Sequence, residues 1–579
     1  MRLPATLFGV LAVAGSAAHC VAQVASPQVL AYTWMPVPGD PGAVISHSID
    51  SIAVSPDGGT VAFQCLTTFG SQPGGVFAIR GGQLSRAVLP GAPVSMPSGA
   101  FLLGTAQHVP LSANDSGDVL VAVSTTMGNA IHVSPGDGGS LRAFAYRGLG
   151  LPELPGRQVL IANSVPVGTM VYPPLPSDGS RFAWCDVTPQ VLDSVEVSDV
   201  LLYGQESAPG TLAAVGPVAS GLDFISIASV LDISNSGVLV RGVRHIGGGP
   251  TDGVWRCDPA SGVISAVLTV GQPAPGILGA TVTGISAYAI NDSGQVAVLG
   301  DAGTSTQAVW VGQGVADTLV LRTSSGQVVG AGGGAVQVLG FPTAQRPLAL
   351  GEDGWAATRV VCQRVGSTAQ TGATVRMKAG LAAQVFMWED EDIKGAPAGT
   401  RLSAAPLQNT STVTAPWTGR MLVRAAFPNN AGPLAGKTVV VAPQDDGAPT
   451  LALVGGQSVE LAPGDVRVLR SALLPTVSTR PAVLPDDRLG VIALVEYDDA
   501  TANRVLLKVD VPAVVCGDID FNNDGLFPDT QDIADYLDVF AGGACPTPRC
   551  DSIDVNRDTI FPDTADIEAF LRVFGGGSC

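Results

Sequence analysis

From Asp518 the chain reads DIDFNNDGLFPDTQDI, setting side-chain oxygens at alternate positions, Asp520, Asn522 and Asp524, just ahead of Gly525. Calcium is a hard cation that takes six to eight oxygens. A loop with acceptors at positions 1, 3 and 5, a glycine at 6 and a main-chain carbonyl at 7 can wrap it. The Leu526 carbonyl falls at position 7. Thirty-four residues later DSIDVNRDTIFPDTADI brings Asp554, Asn556 and Asp558 into the same register, with the Ile560 carbonyl as its counterpart. Twelve-residue loops of this kind end on a bidentate acid at position 12. Here Gln531 and Ala565 stand at that place, and the acids Asp532 and Asp566 come one residue later. Either the loop is one residue longer, or Asp529 and Asp563 take the role. Thr559 replaces the glycine in the second copy, which predicts a weaker second site.

Each loop needs an element to hold it. Ile533, Leu537 and Phe540, and then Ile567, Leu571 and Phe574, recur at helical spacing, so each loop feeds one helix. Cys516 and Cys545 bracket the first copy, and Cys550 and Cys579 bracket the second at the same spacing. These four are disulfide candidates, with all three pairings open. Residues 516–579 carry 13 acids and 3 bases, so they supply −10 of the formal net charge of −19. The alternating Asp-x-Asn-x-Asp before a helix, in two copies, resembles a dockerin domain. The bracketing cysteines, the FPDTxDI core and the final GGxC look like the GC-type dockerin variant of secreted bacterial proteins. The resemblance covers residues 516–579. It implies two bound calcium ions and attachment to a cohesin-like or other extracellular surface partner.

The body repeats a different device. SPDGGTVAF, ANDSGDVLVAV, PSDGSRFAW, ISNSGVLV, INDSGQVAV, GEDGWAATRV, APWTGRMLV and PDDRLGVIALV each read as a turn followed by an apolar run. Their glycines, Gly59, Gly117, Gly179, Gly237, Gly294, Gly354, Gly419 and Gly490, stand about 57 to 71 residues apart. In each turn Asn or Asp can accept from nearby main chain and Gly can take positive φ. In the run from Val61 to Cys65 large residues alternate with Ala62 and Gln64, the period of a strand. Gly 72 and Pro 43, with few aromatics, fit many short strands. The expected fold is all-β: a β-propeller of about eight blades, with seven as the alternative, over residues 23–512. A small α domain with two calcium loop-helix repeats follows. Residues 28–37 resemble the third strand of a repeat and are expected to supply the outer strand of the last blade. SPDGGTVAF looks like the repeats of TolB-type propellers. INDSGQVAV with VGQPAPG looks like the Asn-x-x-Gly repeats of bacterial surface proteins. Both imply a propeller, which by itself implies no activity.

Residues 1–22 read as a secretory signal: an early Arg, an apolar segment too short to span a bilayer, and small residues before Gln23. Export to an extracellular or cell-surface location permits disulfides, although Cys65, Cys185, Cys257 and Cys362 are scattered and read as buried thiols. The acidic balance argues against nucleic acid as partner, and no later run is apolar enough to cross a membrane. Dockerins often ride on carbohydrate-active enzymes, yet the body offers little chemistry. His47, His108, His132 and His245 lie far apart, and no nucleophile elbow, zinc motif or phosphate loop occurs. Asp186, Glu196 and the acidic cluster Glu389–Asp392 are candidate carboxylates for glycoside hydrolysis, the cluster reading rather as a solvated hairpin turn, and Trp184, Trp255, Trp310 and Trp388 fall in strand patterns and read as core. The reading is a secreted, non-catalytic binding or structural propeller. The alternatives are a docked glycoside hydrolase or other polysaccharide-degrading enzyme, and a carbohydrate-binding adhesin.

Overall fold

Segments such as Thr60–Cys65 and Val119–Thr125 are short, rich in β-branched residues and bounded by turn residues, and they form strands. The computed structural model describes residues 27–510 apart from positions between strands, the longest such stretches being 164–180, 188–198, 389–410 and 427–437. In the tail it describes Phe521, residues 530–544, Ile567, Phe570, Leu571 and Phe574. The signal segment 1–22 lies outside the described residues. From residue 28 to 510 the chain is all-β and propeller-like. Four-stranded antiparallel meanders follow one another within 50–88, 109–145, 159–215, 226–269, 282–322, 348–388 and 411–454. The last meander is Thr479–Val483, Leu489–Tyr497 and Arg504–Asp510, and its fourth strand is Gln28–Tyr32 from the other end of the chain.

The core lies between sheets. Val119, Val121 and Val123 pack on the first sheet through Ala62 and Ala78, while Leu120 turns to the third sheet and meets Val200 and Leu202. Val296 and Val298 face Leu239 and Val254, whereas Ala297 and Leu299 face Val360 and Cys362. Alternation therefore persists, but both of its phases are apolar because a sheet covers each face. Thr60–Cys65 shows the result: all six residues are buried, Gln64 among them, although the large apolar residues fall on one phase of the alternation only. The ring closes where Leu494, Leu506 and Ala31 of the last sheet pack on Ile52, Val61 and Phe63 of the first. Thr33 fastens that closure. Its N–H donates to the Arg504 carbonyl at 2.9 Å, and its hydroxyl oxygen accepts the Arg504 N–H at 2.9 Å. Its carbonyl accepts the Tyr497 hydroxyl at 3.1 Å.

The turns are built from one pattern. Asn114 Oδ1 accepts the Ser116 hydroxyl at 2.9 Å and the Asp118 N–H at 2.8 Å. Asn291 repeats this with Ser293 and Gln295 at the same two distances. The acceptor thus holds the amide four residues on, and Gly117 and Gly294 take φ of 90° and 81° between. Two of the expected turn glycines do other work. In SPDGGT, one residue longer between its anchors, Gly58 takes the positive φ while Gly59 donates to Asp57. Gly490 lies inside a strand, paired with Ala482 and Asp510. Gly179 and Gly419 lie outside the described residues.

Adjacent turns are tied across the seams. Asp57 N–H donates to Asp115 Oδ1 at 3.0 Å, the Ser236 hydroxyl donates to the Asn291 carbonyl at 2.9 Å, and Asn291 Nδ2 donates to the Gly351 carbonyl at 2.9 Å. The links that carry the chain onward repeat as well. Gly148, Gly271 and Gly456 donate to Val159, Val282 and Leu469, and each of those acceptors donates back to the residue after the glycine. The glycines sit at φ of 88°, 91° and 89°. Trp34 fills the same place before Ile45 at φ 79°, the one non-glycine with positive φ among the described residues.

Two expectations follow. Gly271 has open space around a Cβ, so Gly271→Ala meets only the left-handed backbone penalty, and the apparent unfolding free energy in urea should fall by about 1–2 kcal/mol. Gly249→Ala, also into open space but at ordinary φ, should stay within about 0.5 kcal/mol of the parent. The second concerns Asp115, whose carboxyl is pushed from 3.8 up to about 6, first by loss of surrounding water and then by the Asp57 carboxylate, with the Asp57 N–H acting the other way. A carboxyl raised in the folded state holds its proton more tightly there. Its contribution to stability therefore improves as pH falls through 6 toward 4, and is lost as pH rises through 6. Asp115 remains solvent-exposed, so the effect is small. Asp115→Asn keeps an acceptor for Asp57 and removes the charge; its melting temperature should exceed the parent's at pH 7.5 and match it near pH 4.

Candidate functional site

The tail helix α1, Thr530–Phe540, starts directly after the Pro528-Asp529 pair, where a turn residue and a good capping residue coincide. It ends in a Schellman arrangement: Gly542, at φ 92°, donates to the Val539 carbonyl at 2.9 Å, and Gly543 donates to the Asp538 carbonyl at 2.8 Å. The second repeat supplies helical residues at Ile567, Phe570, Leu571 and Phe574.

The two repeats meet through aromatic rings. Tyr536 and Phe570, equivalent positions 34 residues apart, stack with centroids 4.2 Å apart and planes 3° from parallel. Phe521 meets both edge-on, at 5.3 Å and 6.5 Å. Tyr536 contacts Phe540 at 5.8 Å and Phe570 contacts Phe574 at 6.2 Å, so the internal contacts of one repeat mirror those of the other. Ile533, Val539 and Ile567 complete the cluster. The inward stripe therefore runs through Tyr536 and Phe570, which the helical spacing of Leu537 and Leu571 did not single out. Those two leucines are 44% and 49% exposed, on matching places of the two repeats. The missed signal was available as an aromatic at both equivalent positions.

Among the expected calcium ligands, Asp532 is described. It stands in the first turn of α1 with no exposed surface. Gln531 beside it is exposed and donates from Nε2 to Asp535 Oδ1 at 2.7 Å. Asp520, Asn522, Asp524, Leu526 and Asp529 lie outside the described residues. So do Asp554, Asn556, Asp558, Ile560, Asp563 and Asp566, and the cysteines Cys516, Cys545, Cys550 and Cys579. Among the described residues no group of three or more His, Cys, Asp or Glu gathers to hold a metal ion, and no helix is long and apolar enough to cross a membrane.

The ring's own candidates are structural where they are described. Trp255, Trp310 and Trp388 are buried, and the indole N–H groups of Trp255 and Trp310 each donate to a carbonyl at 2.9 Å, those of Gly242 and Pro275. Arg364 lies over Trp388 with its guanidinium 4.3 Å from the ring centroid. Cys65, Cys257 and Cys362 are buried thiols. Burial pushes Cys257 up to about 12, with Arg244 acting weakly against it, so it stays protonated and unreactive at neutral pH. His132 is buried within the strand Gly128–Ser134, and His245 is exposed. Trp184, Cys185 and Asp186 lie on Arg181–Val187, whose side chains are not among those described. His47, His108, Glu196 and Glu389–Asp392 lie outside the described residues.

Among solved structures the chain is similar to an oligogalacturonate lyase in complex with manganese, at 10% identity and TM-score 0.32, over 73% of this chain and 99% of that one. It is also similar to the Porphyromonas gingivalis dipeptidyl peptidase 4, at 9% and 0.35, over 81% and 65%. A third is the polysaccharide lyase Uly1, at 8% and 0.30, over 80% and 89%. Likenesses this loose carry no argument about chemistry. No curated protein matches the sequence. A family model does match, over residues 17–329, more than half of the chain, and the chain belongs to that family, described as a family of unknown function (DUF7453).

Proposed function

We propose that this is an exported propeller of eight blades, a non-catalytic binding or structural module, attached to an extracellular partner by a dockerin-like tail. The partner is a cohesin-like or other surface protein, and attachment requires two calcium ions, the second held more weakly. The observation that carries the reading is the tail's internal duplication: two acidic stretches 34 residues apart whose aromatic residues, Tyr536 and Phe570, pack as an equivalent pair. Such a pair supports a unit built from two loop-helix repeats, with a core too small to stand without metal or disulfides. Asp520, Asn522, Asp524 and the Leu526 carbonyl would hold the first ion. Asp554, Asn556, Asp558 and the Ile560 carbonyl would hold the second, with a further acid closing each loop. Calcium, when bound, supplies the positive charge that lets these oxygens converge.

The blade count rests on the meanders and on the pairing of Gln28–Tyr32 with Arg504–Asp510. The test is capture of partners from the source organism's envelope and secreted fractions on the full chain, with calcium and with chelator. A second bait carries Asp520→Asn, Asp524→Asn, Asp554→Asn and Asp558→Asn. A partner held only with calcium, and lost on that bait, is the expected result. Retention indifferent to both calcium and the substitutions would remove the docking reading, and reducing-sugar release from a polysaccharide panel would put an enzyme in its place.

A further inference from the structure

The link from the ring-closing strand into the first sheet is built like two of its sisters, with one exception. Trp34 donates its N–H to the Ile45 carbonyl at 2.8 Å, and Pro36, two residues on, bridges to Val44. Gly148 and Gly271 head links with the same bridge, from Gly150 to Gln158 and from Pro273 to Thr281. A Cβ at either glycine would meet nothing within 4 Å, so the link itself asks for no side chain there. A left-handed backbone penalises any L side chain, and glycine alone takes it freely. Trp34 holds φ 79° and is nevertheless 50% exposed, so burial of its indole explains only part of its presence. Backbone outliers that packing does not explain concentrate where ligands are held.

The surroundings indicate the ligand. Val44 and Ile45 pair with Thr68 and Thr67, and the Ser46 N–H donates to the Leu66 carbonyl at 3.0 Å, so residues 34–36, 44–46 and 66–68 form a small three-stranded ledge. Ile45 and Ser46 are buried on its inner side, whereas Trp34, Pro36 and Leu66 are exposed, with Thr67 and Thr68 half-buried beside them. Two strand spacings, about 10 Å, separate the backbones at Trp34 and Leu66. No charged residue occurs in the three segments, and the chain as a whole carries −19, which disfavours an anionic ligand. A sugar ring suits such a ledge. Its weakly positive C–H bonds lie against the negative face of an aromatic ring, while its hydroxyls reach the neighbouring threonines.

We propose that this ledge is where the body of the protein binds, and that its ligand is a neutral polysaccharide with one sugar ring stacked on Trp34. The inference rests on the reading of the body as a binding module and is independent of the tail.

The experiment is electrophoresis of the full chain through gels containing a neutral polysaccharide (a mixed-linkage glucan, a galactomannan or a xyloglucan) or the anionic polygalacturonate. The parent is compared with Trp34→Gly and Trp34→Tyr, and the urea unfolding midpoint of each is measured. At least one neutral polysaccharide should retard the parent, and polygalacturonate should not. Trp34→Gly should bind that polysaccharide roughly tenfold or more weakly, while its urea midpoint equals or exceeds the parent's because glycine relieves the backbone. Trp34→Tyr keeps a ring and should keep most of the retardation. A lower midpoint for Trp34→Gly makes Trp34 a packing residue and overturns the proposal, as does retardation by polygalacturonate alone or by no polysaccharide. Equal retardation of the parent and Trp34→Gly overturns the ledge while leaving the body a binding module. Reducing sugar released from the bound polysaccharide would remove the non-catalytic reading and leave the ledge assigned.

Discussion

A strand that is apolar on both faces is unsatisfied until a sheet lies against each side, and that constraint organises the body of this protein. Val238 and Val240 turn toward Leu201 and Phe224 of the preceding sheet, while Leu239 between them turns toward Val296 and Val298 of the following one. Among the described residues of the body no helix lies over a sheet face, so each face is covered by another sheet, and a row of sandwiched sheets has no acceptable end. Curving the row until Ile492, Leu494 and Leu506 meet Ile52 and Phe63 removes both ends at once. The seam hydrogen bonds from Asp57, Ser236 and Asn291 then fix how neighbouring turns sit, a geometric task that non-directional apolar packing cannot perform.

Much of this was legible because turns announce themselves. Asn114 and Asn291 stand where their side chains can hold an amide four residues on, and a glycine follows at the place that needs positive φ. The pattern blurs where the turn changes length, as at Ser55–Thr60, and where a glycine happens to sit in a strand, as at Gly490. The buried polar phase of Thr60–Cys65 was illegible for a different reason. Whether Gln64 faces water depends on the neighbouring sheet, some sixty residues away, and nothing local records that.

The tail divides along the same line. Oxygen spacing and the 34-residue repeat are properties of the string, and the apolar spacing that follows the first acidic stretch led to α1. Which side chains face the core is set by where α1 begins, and that is a cooperative outcome of capping and packing. Hence Tyr536 and Phe570, rather than Leu537 and Leu571, stack at the centre, and Asp532 is enclosed while Gln531 is not.

The pairing of Gln28–Tyr32 with Arg504–Asp510 has a consequence in time. The segment that completes the ring is made first, and its partner arrives only after the whole body has followed. At 5–20 residues per second that interval is roughly half a minute to a minute and a half. Throughout it the first sheet exposes the face destined for Leu494 and Leu506, and the early strand presents an open edge of the kind that recruits other chains. The ring is therefore vulnerable as a newborn chain in a way that the finished molecule, with its two ends joined, is not.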